Sequence, residues 1–201
     1  MSSTAVYDLA QKGELDESSP IRNIDNLRKL TNTEIQDLNV DSSNYEPLKI
    51  LCEEKLQAIC SGVVIVRPCI VLGKNENTGR LQQWFKVLEN NETIRSHKNR
   101  KLVFQFIDVR DLVELMISIA VADYEGVFNL CAPPISWDSF VDISTKLRPK
   151  NQAREPILEV SSTPFLEYSK QLNGSFFNSR YQVVSEHNFS EIYETLESFF
   201  N

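Results

Sequence analysis

Glycine is scarce in this chain: six residues in 201, about 3%, where an average protein carries roughly 7%. They stand at Gly13, Gly62, Gly73, Gly79, Gly126 and Gly174, and the closest pair is six apart. A phosphate-cradling loop needs clustered glycines, because only they let the backbone approach the phosphate closely. A Walker loop and a dinucleotide-binding G-x-G-x-x-G turn are both excluded from these 201 residues.

Other absences narrow the class. Lys and Arg number 21 against 28 Asp and Glu, a net charge of −7, so no basic face is offered to nucleic acid. No apolar run approaches the roughly 20 residues of a membrane span; the longest, residues 63–72, is broken by Arg67 and Pro68. The start, Met1-Ser2-Ser3-Thr4, has neither the basic nor the apolar region of a signal peptide. Cys52, Cys60, Cys69 and Cys131 form no C-x-x-C pair, which argues against zinc and dithiol redox sites. Each lies in an apolar context and is expected to be a buried, inert thiol. No metal site and no membrane contact are expected, and a reducing cytoplasm fits the cysteine usage.

What is present alternates between strand and helix. Residues 8–44 are polar and read as a surface excursion with at most one short helix, near 26–37. Ser42, Ser43 and Asn44 offer N-cap oxygens, and Pro47 falls in the first turn, where its missing N–H costs nothing. Leu48, Leu51, Cys52, Lys55, Leu56, Ile59 and Cys60 then recur at helical spacing, and Gly62 stops the helix. The β-branched run 63–66 suits a strand buried on both faces of a parallel sheet, and 69–72 continue as extended chain. A helix over 79–89 follows, then an exposed loop over 90–101 and a strand over 103–107. Asp108 reads as an N-cap with Asp111 in capping-box position, and helix capping accounts for both. The helix over 112–122 is almost wholly apolar and is expected to be buried on most sides. A strand over 126–130, a helix over 136–147 and a strand over 157–160 come next. In the final helix Asn188 caps, Glu191 is third, and Phe189, Ile192, Tyr193, Leu196, Phe199 and Phe200 form the apolar face. His97 and His187 sit in polar loops and match no site. The alternation over 45–147 predicts an α/β protein.

Chemistry concentrates at the start of the first long helix. Tyr45 and Lys49 are four apart, so they share a face. An ammonium there stabilises a phenolate, and such a tyrosine can exchange a proton with a substrate oxygen. Around this pair stand Ser2-Ser3-Thr4-Ala5-Val6-Tyr7, Val66-Arg67-Pro68, Gly73, Gly79-Arg80 with Trp84 following, Phe106-Ile107-Asp108-Val109-Arg110-Asp111-Leu112 and Gly126-Val127-Phe128-Asn129. In this order these segments resemble the extended short-chain dehydrogenase/reductase family, the NAD-dependent epimerase/dehydratase group. The resemblance covers residues 1 to about 147 well and the last 50 poorly. Asp8 replaces the glycine after V-Y, Cys69 and Lys74 replace Gly and Pro of the R-P pattern, and the Ser3-to-Tyr45 interval is longer than usual.

The resemblance implies catalytic roles for Ser3, Tyr45 and Lys49. Ser3 would hydrogen-bond the substrate oxygen and Tyr45 would be the acid/base. Lys49 would hold the nicotinamide ribose of NAD or NADP. Pro68 would lie against the nicotinamide, and Arg80 and Arg110 would face a nucleotide-sugar-like substrate. The fold implied is a partial doubly wound, Rossmann-like parallel sheet over 1–147, with the polar loop 8–44 inserted. A small substrate lobe and C-terminal helix over 148–201 complete it. In that family a glycine-rich half, which binds the pyrophosphate, precedes the S-S-x-x-V-Y strand. Its absence here implies a truncated form, inactive alone, with doubtful cofactor binding. Strand 63–66 would then sit nearer an exposed edge, so a homo-oligomer, or a partner chain supplying the missing half, is expected. The alternative is a non-catalytic binding or regulatory module with the family's shape.

Overall fold

The computed structural model describes residues 1–10, 13–41, 44–89, 102–147, 165, 168, 171–172, 175–179 and 189–198. The expected loop 90–101, the strand 157–160, both histidines, Ser42, Ser43, Asn188, Phe199 and Phe200 lie outside the described residues.

A parallel pair forms the centre. Strand β2 (Val64–Pro68) lies beside β6 (Gly126–Leu130), with Val64 opposite Gly126 and Pro68 opposite Leu130. Next to it β3 (Ile70–Leu72) pairs in parallel with β5 (Phe106–Asp108). Two short pairs complete the strands among the described residues: β1 (Glu14–Leu15) parallel to β8 (Phe176–Phe177), and β4 (Val103–Phe104) antiparallel to β7 (Ile135–Ser136). The result is the expected α/β class with a partial parallel sheet.

The expected strand over 103–107 is broken in two. Gln105 interrupts it with a fully buried side chain. Its amide nitrogen donates to Ala132 O and Phe177 O, and its amide oxygen accepts from Phe177 N–H. A side chain thus does the work of a strand edge where the backbone turns away.

Strand β2 is not exposed as expected: Ile65, Val66, Arg67 and Pro68 are buried. On the side away from β6, Ser2 N–H donates to Val66 O at 2.6 Å. Hydrogen bonding along β2 is thereby continued by the N-terminal segment.

Helix α3 (Tyr45–Ile59) has the expected extent but another buried face. Ile50, Leu51 and Glu53 point inward, while Cys52, Leu56, Ile59 and Cys60 are exposed. The helix docks through a buried ion pair between Glu53 and Arg67 rather than an apolar stripe. Two of the four thiols are thereby exposed, not buried. Asn44 stands at the N-cap without capping; its Oδ1 accepts instead from Asp41 N–H.

The excursion 8–44 holds two short helices, α1 (Asp25–Arg28) and α2 (Asn32–Gln36). It is not wholly superficial, since Leu15 and Ile24 are buried in the core. Helices α4 (Arg80–Glu89), α5 (Val109–Val121) and α6 (Trp137–Lys146) follow the expected order. Asp108 caps α5 by accepting from Arg110 N–H. Asp111 does not close a capping box; its carboxylate takes Ser190 N–H and Oγ–H instead. The outer face of α5 also departs from expectation. Leu112, Leu115 and Ile119 are buried, but Val113, Ile117 and Val121 are exposed. The helix lies as one layer over β3 and β5, so only one side of its apolar surface is covered.

Helix α7 (Ile192–Glu197) starts later than expected, with Glu191 at the N-cap. Tyr193 is exposed and donates to Glu197, while Ile192 and Leu196 are buried. These two join a second apolar cluster with Trp84, Phe104, Phe140 and Phe165. There Phe104 stacks on Phe140 with ring centroids 4.1 Å apart.

Candidate active site

Tyr45 and Lys49 occupy the first two turns of α3. Lys49 Nζ lies 5.5 Å from the Tyr45 ring centroid and donates to Met1 O at 3.3 Å. Tyr45 is exposed, so its phenol is open to a ligand. Ser3 reaches the same place from the N-terminal segment, which is tied to β2 by Ser2 N–H and by Thr4 Oγ1–H donating to Pro68 O. Ser3 Oγ accepts from Ala5 N–H at 3.1 Å and so caps the 3₁₀ turn Thr4–Val6.

Ser3, Tyr45, Pro68 and Arg80 all line one cleft of about 710 Å³. It opens where β2 and β3 end, the place where open α/β sheets bind ligands. Lys49 is not part of the wall; it stands against the Tyr45 ring. Arg110 is not part of the wall either. Its Nε and Nη2 donate to the two carboxylate oxygens of Asp108 at 2.9 and 2.8 Å. Thr195 Oγ1–H also donates to Asp108. Burial opposes ionisation of Asp108, but the bonds from Arg110 and Thr195 hold its carboxyl below the ordinary value.

The cleft contains residues to which the sequence assigned no role. Arg22 comes from the excursion, its Nε donating to Ala5 O. Lys74 follows β3, and Tyr168 comes from the C-terminal part of the chain. Ser2 Oγ and Tyr168 Oη are buried and make no hydrogen bond of ordinary geometry. Burial pushes the Tyr168 phenol well up, with Cys69 and Cys131 adding to this and Arg80 opposing it. The doubled serine was a signal for Ser2. Arg22 and Tyr168 had none, since the fold alone brings them together; Lys74 stood out only as a departure from the R-P pattern.

Behind the cleft a buried polar network anchors α3. Arg67 donates through Nε and Nη2 to the two carboxylate oxygens of Glu53, and through Nη1 to Tyr7 Oη at 2.9 Å. Tyr7 donates in turn to Asn129 Oδ1 at 2.8 Å. Burial pushes the Tyr7 phenol up to about 12, against the pull of Arg67. Glu53 stands two turns after Tyr45 on the same helix, so the network sets where Tyr45 and Lys49 stand. Among the described residues no group of three or more His, Cys, Asp or Glu is placed to hold a metal. No described helix is long and apolar enough to cross a membrane.

No family model matches the chain, and no curated protein does. Solved structures match it closely in shape. The Bordetella bronchiseptica enzyme WbmH in complex with NAD+ aligns at 14% identity and a TM-score of 0.68, over 99% of this chain and 59% of that one. UDP-glucuronic acid 4-epimerase from Bacillus cereus in complex with NAD aligns at 14% identity and a TM-score of 0.59, over 99% and 57%. dTDP-4-dehydrorhamnose reductase from Yersinia enterocolitica aligns at 13% identity and a TM-score of 0.55, over 98% and 63%.

The fold is thus the Rossmann-like α/β fold of the extended short-chain dehydrogenase/reductase structures. The chain spans about 60% of the length of the epimerase and reductase structures it matches.

Proposed function

We propose that this chain carries the proton-transfer and substrate side of an NAD(P)-dependent epimerase, dehydratase or reductase. The substrate is a carbonyl compound or sugar of nucleotide-sugar type. The observation that carries this reading is the meeting of Ser3, Tyr45, Pro68 and Arg80 in one cleft, with Lys49 against the Tyr45 ring. The fold shared with NAD-bound structures supports it.

Tyr45 gives a proton to, or takes one from, the substrate oxygen in the cleft. Lys49 stabilises the phenolate that remains. Ser3 hydrogen-bonds the same oxygen, and Arg80 holds an anionic part of the substrate. Pro68 gives the flat apolar wall that suits a nicotinamide ring, which supplies or accepts a hydride when bound. The fit is to the nicotinamide end only, because the 201 residues contain no glycine-rich turn for the pyrophosphate. A second chain or a further segment is proposed to supply that turn, by homo-oligomerisation or a distinct partner. Arg110, engaged by Asp108, would have to leave that ion pair to reach substrate. A reducing, cytoplasmic setting accords with four free thiols.

The test is calorimetric titration of the full chain with UDP-glucose, NADH and NADPH, singly and together. The expected result is that UDP-glucose binds and that Arg80→Met weakens it at least about tenfold, some 1.4 kcal/mol. Failure to bind any of the three, or equal binding by the Arg80→Met chain, overturns the reading. A second reading is a non-catalytic binding or regulatory module, favoured by Lys49 donating to Met1 O and standing outside the cleft wall. It predicts UDP-glucose binding without nicotinamide turnover, even beside a chain that supplies the turn.

A further inference from the structure

Two of the four thiols stand side by side where β2 and β6 end, one of them in the cleft wall. The β2–β6 register ends with Pro68 opposite Leu130, so the next residues in line are Cys69 and Cys131. Cys69 N–H continues the ladder by donating to Leu130 O at 3.4 Å. Residues paired across a sheet project to the same face, and the Cys69 thiol leans toward β6, with Sγ 3.9 Å from Leu130 O. Adjacent strands lie about 4.8 Å apart, inside the range of roughly 4.4–6.8 Å between Cα atoms that a disulfide spans. Both residues are buried, yet Cys69 forms part of the cleft wall. Tyr168 packs against the apolar cluster that holds both residues.

We propose that Cys69 and Cys131 are a redox modification site, closing into a reversible intramolecular disulfide when a hydroperoxide enters the cleft. The Cys69 sulfur, having lost its proton, attacks one peroxide oxygen. The O–O bond breaks, and the departing oxygen takes a proton and leaves as water. Cys69 is then a sulfenic acid. The Cys131 sulfur attacks it, the S–S bond forms, and the sulfenic hydroxyl leaves with the Cys131 proton as a second water. Two thiols lose two electrons and two protons, and one hydrogen peroxide becomes two waters. Burial, and the second thiol, keep Cys69 protonated, so closure is slow and is confined to small oxidants that enter the cleft. The bond would tie together the C-terminal ends of β2 and β6, where the ligand wall begins. This inference does not depend on which cofactor the cleft serves.

The test uses the full chain carrying Cys52→Ser and Cys60→Ser, both exposed positions. The folded protein is treated with hydrogen peroxide, then unfolded and its thiols counted, with intact mass read in parallel. The expected result is loss of both remaining thiols, a mass lower by two hydrogens, and restoration of both by dithiothreitol. In the same background Cys131→Ala is expected to gain oxygen at Cys69 instead, with no loss of hydrogens. Survival of both thiols overturns the proposal. So does a mass raised only by oxygen in the parent, or a link between two chains on non-reducing electrophoresis.

Discussion

Lys49 places its ammonium nitrogen 5.5 Å from the centroid of the Tyr45 ring, one helical turn away. The ring is exposed at the cleft while the ammonium lies outside the lining. In a preparation competent for turnover, Tyr45→Phe is expected to lower kcat by about 10²–10⁴-fold, the usual weight of a positioned acid/base. Stability should stay within about 0.5 kcal/mol, since the side chain is exposed. Unchanged turnover with Phe at this position removes Tyr45 from the mechanism. Comparing kcat with the unfolding midpoint of the same variant separates chemistry from folding.

Arg67 and Glu53 form a charge pair with almost no solvent contact. Arg67→Met leaves a carboxylate buried without its partner, which costs about 3–5 kcal/mol. The double variant Arg67→Met/Glu53→Gln is expected to recover much of that, because no net charge is then stranded. Urea unfolding of the two single variants and the double measures the coupling. Simple additivity would mean that the pair does not anchor α3.

The sequence revealed the order of strands and helices far better than their buried faces. Capping oxygens and β-branched runs act locally, so the start of α5 at Asp108 and the strand Gly126–Leu130 were legible. The buried side of α3 was not, because it is chosen by Glu53 meeting Arg67 on another element. Apolar content alone could not say that α5 has only one covered side. The same limit applied to the cleft. Ser3, Tyr45 and Pro68 were found through motifs, whereas Arg22 and Tyr168 arrive there by folding.

Asp108 joins three jobs: it caps α5, clamps Arg110 and accepts from Thr195. Its folded pKa lies below its ordinary value. The stability it contributes is therefore present above the unfolded value of about 3.9 and lost as pH falls through the lower, folded value. Unfolding free energy should decline as the solution is acidified below about pH 4, and Asp108→Asn should flatten that decline. Asp25 and Glu34 are shifted in the same direction, so some slope remains in the variant. An identical acid profile for Asp108→Asn and the parent would show that the ion pair contributes nothing to folding.

Gln105 is the sole residue between β4 and β5, and its side chain serves three backbone groups on two other segments. Gln105→Leu preserves much of the volume but leaves Ala132 O, Phe177 O and Phe177 N–H without this partner. Each buried group so stranded costs about 1–3 kcal/mol, so the variant should be destabilised by more than a typical large-to-small core change. Gln105→Glu separates hydrogen bonding from shape. Its ionised carboxylate still accepts from Phe177 N–H but cannot donate to the two carbonyl oxygens. The loss should therefore shrink as the pH is lowered and the added carboxyl gains a proton to donate. Amide exchange at Phe177 reads the local effect directly. Protection there is expected to fall in Gln105→Leu and to survive in Gln105→Glu, because only the latter keeps an acceptor for that N–H. Equal protection in both variants would place the holding force in the surrounding apolar packing instead.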